Sequence, residues 1–92
     1  MLDFHFIPDE KPMYARGLNY AGGIEYEEFV KAQEVTFIET HLDYYGRFRW
    51  SSQQVKQKRT LLLPAVAITI PNLASILKQA FAAGYGLVAF GD

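Results

Sequence analysis

LLLPAVAITIPNLASILKQAFAAGYGLVAF, residues 61–90, holds a single charge, Lys78, and its first seventeen positions, Leu61 to Leu77, hold none. How this run divides decides the fold. Leu73, Ile76, Leu77, Ala80 and Phe81 recur at i, i+3, i+4, i+7 and i+8, which is one face of a helix. Pro71 stands near its start, and Gly84 stands where a left-handed residue ends a helix, so the spacing predicts a helix over about 72–83. Leu87-Val88-Ala89-Phe90 is apolar on both alternating faces, the pattern of a strand inside a sheet, at about 86–90. Residues 65–70 (AVAITI) lie between two prolines. As a strand they put Val66, Ile68 and Ile70 on one face; a helical turn is the rival, and six residues are too few for periodicity to separate the two. If they form a strand, 65–90 is a βαβ unit with a right-handed crossover. Prolines, glycines, Asn72 and Gln79 interrupt the run, so no membrane-spanning helix is expected.

Working outward, the charges are sorted along the chain. Met1 to Tyr45 carries nine acids and three bases, and Gly46 to Thr60 carries five bases and no acid. Ser51 or Ser52 is placed to cap a helix over about 51–63 that ends at Pro64, with Lys56, Lys58 and Arg59 toward its negative end. Glu25, Glu27 and Glu28 suit the first turn of another helix, about 25–43, whose Val35, Ile38, Leu42 and Tyr45 share a face. Residues 8–23, with two prolines and three glycines, read as a loop. Leu2, Phe4 and Phe6 alternate with Asp3 and His5, a half-buried strand over about 2–7. The expected fold is therefore α/β or α+β: one domain over 1–92, with a small two- or three-stranded sheet (about 2–7, 65–70, 86–90) packed by helices (about 25–43, 51–63, 72–83). A sheet that small is rarely stable alone, which leads to the expectation of a homodimer joined at a strand edge.

Composition narrows the chemistry. With no cysteine, thiolate and disulfide chemistry are absent; MLDFHFIPDE has neither the basic nor the apolar region of a signal peptide. Both point to a cytoplasmic protein. The glycines fit no phosphate-binding frame, and no His-x-x-x-His or Glu-x-x-His spacing occurs, so no cofactor and no metal are expected. The candidates for acid–base work are His5 beside Asp3, and His41 beside Asp43, as in a small enzyme or ligand-binding protein. A net charge of −1 and a pI near 6.1 argue against nucleic acid as the partner. Asp43-Tyr-Tyr-Gly-Arg-Phe-Arg-Trp-Ser51 packs four aromatics and two arginines into nine residues, the types that dominate protein interfaces.

The opening MLDFHFIPDEKP, the middle DYYGRFRWSSQQVKQ and the ending ASILKQAFAAGYGLVAFGD together resemble a group of small, largely uncharacterised bacterial single-domain proteins, some of which serve as immunity partners of secreted toxins. The resemblance spans most of the chain and brings no catalytic signature. It implies a partner of basic surface, which the acidic front half would steer toward itself. The leading expectation is a non-enzymatic protein-binding module that docks its partner, a toxin if the resemblance holds, through Glu25, Glu27, Glu28 and Glu34 with Tyr44, Tyr45, Arg47 and Trp50. A small ligand binder or enzyme using the histidine pairs, and a structural homodimer, are the alternatives.

Overall fold

In the computed structural model, two apolar strands from opposite ends of the chain lie side by side: β1 (Leu2–Ile7) and β4 (Gly86–Gly91) pair antiparallel, Phe4 opposite Ala89. β2 (Tyr20–Ile24) pairs with the free side of β1 and β3 (Arg47–Trp50) with the free side of β4, so the order is β2-β1-β4-β3 and every pairing is antiparallel. The structure describes residues 1–13 and 15–91; Tyr14, within the expected 8–23 loop, and Asp92, the last residue of the expected domain, lie outside it. Four helices complete an α+β fold: α1 (Tyr26–Glu34), α2 (Ser52–Thr60), α3 (Pro64–Thr69) and α4 (Pro71–Ala83).

Period two sorts the sheet's side chains. Leu2, Phe4, Ala89, Leu87, Phe48 and Trp50 share the helix-covered face, where Phe4, Phe48 and Trp50 pack ring to ring with centroids 5.4–6.0 Å apart. Buried against them are Phe29 and Ala32 of α1, Val55 of α2, and Leu73, Ile76, Leu77 and Ala80 of α4. Gly22 leaves room for Ile76, whose side chain a Cβ there would meet at 3.1 Å. The opposite face carries Asp3, His5 and Ile7 of β1, Val88 and Phe90 of β4, and Arg47 and Arg49 of β3. Half of it is sealed. Arg49 donates to the carbonyls of Pro8, Asp9 and Lys11, tying down the start of the loop after β1, and Ile7 and Val88 are fully buried.

Several expectations are corrected. Residues 65–70 are not a strand, and there is no βαβ unit. Pro64 stands at the first helical position, where its fixed φ fits and its missing N–H leaves nothing unpaired, and the amides of Val66 and Ala67 bond back to the Leu63 carbonyl. The sheet gains its third and fourth strands from 20–24 and 47–50 instead. Four strands covered by helices are self-sufficient, which removes the reason for expecting a second copy. The helix expected over 25–43 stops at Glu34. Thr36 turns left-handed (φ 64°), the Phe37 and Ile38 amides both bond back to the Ala32 carbonyl, and Gln33 holds the turn by donating to the carbonyls of Glu39 and Leu42. That reversal puts Phe37 and Ile38 in the core. The helix expected over 51–63 ends at Thr60, with the Ser51 cap and a reciprocal Gln54 bond completing a capping box. Gly84 is left-handed (φ 76°) after α4, as its position predicts.

Candidate interaction surface

Tyr44 organises one end of the molecule. Its ring is buried, its hydroxyl reaches the Ile24 carbonyl at 3.5 Å, and it makes edge contacts with Tyr26 (5.3 Å), Phe29 (5.4 Å) and Tyr45 (5.0 Å). The turn that carries it is rigid for local reasons. Asp43 accepts from the Tyr45 amide (3.0 Å) and its carbonyl from Gly46, while the Gly91 amide donates to the Gly46 carbonyl at 2.8 Å. Gly91 must be glycine here, because a Cβ would collide with the Tyr44 carbonyl. Tyr45 is thereby held outward and exposed.

From Tyr45 the surface continues onto the open half of the sheet. Tyr45, Gly46, Arg47, Phe90 and Gly91 line a shallow groove of about 450 Å³. The Arg47 guanidinium lies 5.3 Å from the centre of the Phe90 ring. Phe90 meets His5 edge-on (5.6 Å), His5 meets Tyr20 (5.4 Å), and the Tyr20 hydroxyl donates to Asp3 at 3.0 Å. Desolvation of that hydroxyl, then the Asp3 bond and charge beside it, push the Tyr20 pKa above its ordinary value of 10.0. Tyr20, Tyr26 and Tyr45 are exposed, as are Glu25, Glu27 and Arg47. The result is one continuous aromatic belt, with acids along it and a single arginine in the middle.

The expected site residues divide accordingly. Glu25, Glu27, Tyr44, Tyr45 and Arg47 come together at this end. Glu28 does not join them as a free charge: its carboxylate accepts from the Leu73 amide (2.7 Å) and from Asn72 (2.9 Å), capping α4, whose own N-cap residue, Ile70, has no side-chain acceptor. Glu34 is exposed at the far end of α1. Trp50 is only 2% exposed and lies in the core. Tyr20, Tyr26 and Phe90 are additions; Tyr26 sits between the glutamates that mark the helix start, and the alternation of β4 places Phe90 opposite Asp3.

Trp50 instead floors a second feature. Lys58 lies 4.4 Å above its ring and donates to Glu39 (3.2 Å) and the Phe37 carbonyl (2.7 Å), while the indole N–H donates to Glu39 (3.1 Å). Above this closed network is a cleft of about 430 Å³ bounded by the 35–37 turn, α2 and Val66. The histidine pairs are not assembled as acid–base sites: Asp3 serves Tyr20, Asp43 serves the Tyr45 amide, and His41 stands exposed. The Nδ1 of His5 is buried without a hydrogen-bond partner among the described residues. Among those residues no three metal-ligating side chains cluster, and no helix is long and apolar enough to cross a membrane. No protein-family model matches the chain, and comparison with curated proteins and with solved structures finds no match.

Proposed function

We propose that this chain is a non-catalytic binding module that docks a protein partner through its tyrosine-rich end, Tyr20, Tyr26, Tyr45, Arg47 and Phe90. The observation that carries the reading is the exposure of three tyrosines and an arginine on a rigid support. Tyrosine offers a large contact area with little side-chain freedom to lose, and Tyr and Arg dominate interface energetics. The acids beside them, Glu25, Glu27 and Asp3, favour a partner of basic surface, since opposite charge speeds encounter and fixes orientation. A secreted toxin held by an immunity-type partner is the specific form of this reading, in line with the family resemblance.

The test is a photo-crosslinking residue placed at Tyr45 and, as a control, at the exposed Glu10 in the loop after β1, in the native cell. The expected result is one discrete adduct from position 45 that is absent from position 10. With the captured protein purified, Tyr45→Ala and Arg47→Ala should each weaken binding by about tenfold or more, the size of a hot-spot loss, with no change in melting temperature. Identical adduct patterns from both positions, or none from 45, would overturn the proposal.

A further inference from the structure

β2 is an outermost strand of the sheet, and the register shows which of its backbone groups face outward. The Gly91 amide donates to the Gly46 carbonyl, so Gly91, Ala89 and Leu87 bond toward β3. Alternation then turns Phe90 and Val88 toward β1, their partners Asp3 and His5 toward β4, and Leu2 and Phe4 toward β2. The Phe6 amide, which donates to the Asn19 carbonyl, keeps the same phase. Ile24 and Gly22, opposite Leu2 and Phe4, therefore bond inward, and Gly23 points both its N–H and its C=O away from β1. Glu25 is still extended (φ −81°, ψ 167°), so its N–H points the same way as that of Gly23. None of these three groups has a hydrogen-bond partner among the described residues.

A free strand edge is a template for a further strand, and natural edges are closed by lysine, proline or a covering segment. β2 (YAGGI) contains no lysine and no proline. Its borders match the tyrosine-rich end. Tyr20 opens the strand and Tyr26 follows it, 56% and 55% exposed. Gly23 is bare so that Met1 and the Tyr20 hydroxyl can lie across it, where a Cβ would collide with both. Asp3, opposite Gly23, and Glu25, two residues on, fall by alternation on the same face of the sheet. Glu25 and Glu27 are exposed and have no ion pair among the described residues. On the reading that this end docks a protein, we propose that the partner is held by strand addition. An extended segment of it pairs with β2 through Gly23 and Glu25, and basic side chains at every second position of that segment face Asp3 and Glu25. A residue placed opposite Gly23 starts about 10 Å from Asp3, two strand spacings, which a lysine or arginine spans with its stem along Met1 and Tyr20. Main-chain bonds supply affinity in this mode and the alternate side chains supply specificity. A second copy is the wrong occupant, because β2 set against β2 would bring the acids of two chains together, and like charges across a strand pair are unfavourable.

The experiment uses the full chain, isotope-labelled, and a capped heptapeptide of alternating Lys and Val. One comparator carries Glu in place of Lys; two others carry N-methyl groups on the Lys amides or on the Val amides. In the free chain the Gly23 and Glu25 amides should exchange with solvent faster than those of Gly22 and Ile24. The Lys peptide should slow both by about tenfold or more, and it should bind at least about fivefold more tightly than the Glu peptide, the gap closing near 0.5 M salt. One set of N-methyl groups should abolish binding and the other leave it, since an added strand uses the amides of every second residue. Glu25→Gln with Glu27→Gln should narrow the preference for Lys. Tyr45→Ala should leave the peptide affinity unchanged, so loss of strand addition is read separately from loss of the docking end, which the crosslink at position 45 reports. Equal affinity for the Lys and Glu peptides, equal effects of the two methylations, slowing at the outward-facing Arg47 and Arg49 amides of β3 in place of Gly23 and Glu25, or light scattering that shows the chain pairing with itself through β2 would each overturn the proposal.

Discussion

Asp9 and Glu28 are carboxylates that serve helices other than their own. Glu28 caps α4 from α1; Asp9, in the loop after β1, accepts from both the amide and the hydroxyl of Ser52 at the start of α2. Those bonds, side chain first and then backbone, with the Arg49 charge beside it, hold the Asp9 carboxyl below its ordinary 3.8. A lowered carboxyl pKa adds stability that is complete above the unfolded value and is lost as pH falls through the folded one. Asp9→Ala should therefore be less stable than wild type in urea at pH 7, and the gap should close as pH drops below about 3.8. A gap that stays constant down to pH 2 would remove Asp9 from this role. Leu77 and Phe81 make a second contrast. Both lie on the apolar stripe read from the sequence, yet Leu77 is sealed while Phe81 is 46% exposed, under Arg59 at 6.0 Å. Leu77→Ala should cost about 2–5 kcal/mol in chemical denaturation. Phe81→Ala should cost about 1 kcal/mol, well short of the 3–5 kcal/mol a buried phenylalanine would lose.

At the scale of elements, legibility follows how strongly local chemistry and tertiary packing agree. α4 carries a full apolar stripe, a proline start and a glycine stop, and it forms where those signals place it. β1 alternates, and it too is plain in the sequence. α3 was ambiguous because the same six residues satisfy both periods, and the prolines at 64 and 71, each at a first helical position, decided it. β2 hid behind Gly22 and Gly23, which read as turn residues; Gly22 is needed where Ile76 packs underneath, and Gly23 where Met1 and the Tyr20 hydroxyl approach. β3 was hidden by the function expected of it: Arg47-Phe48-Arg49-Trp50 alternates cleanly, with Phe48 and Trp50 inward, but it was read as an interface cluster. The structure buries Trp50 with Phe48, whereas Tyr45 and Arg47, on either side of Gly46, are exposed. β4 depends on its first residue, since a Cβ on Gly86 would press into the Trp50 carbonyl. Gly86→Ala should cost at least about 1–3 kcal/mol, measured as a lower urea midpoint with unchanged slope. An unchanged midpoint would show that β3 and β4 can separate there at no cost.

On the scale of the whole molecule, the charge sorting of the sequence does not become a spatial division: β1 of the acidic front pairs with β4 of the acid-free half, Arg47 and Phe90 of that half line the groove beside Tyr45, and Val35, Thr36, Phe37 and Glu39 of the front wall the cleft above Lys58. Within the uncharged run Leu61, Leu63 and Ile68 are exposed, while Leu62, Ile70, Leu73, Ile76 and Leu77 are buried. The order β2-β1-β4-β3 carries its own consequence. Translation delivers β4, one of the two inner strands, after both of its neighbours, so the β1–β2 pair and β3 wait as unjoined halves until it emerges. Cut at Gly84, the chain should behave as a split reporter. The longer fragment alone should show no cooperative melting, and a synthetic heptapeptide of residues 85–91 added in trans should restore the native emission of Trp50. A long fragment that melts cooperatively on its own would show that the inner strand is dispensable.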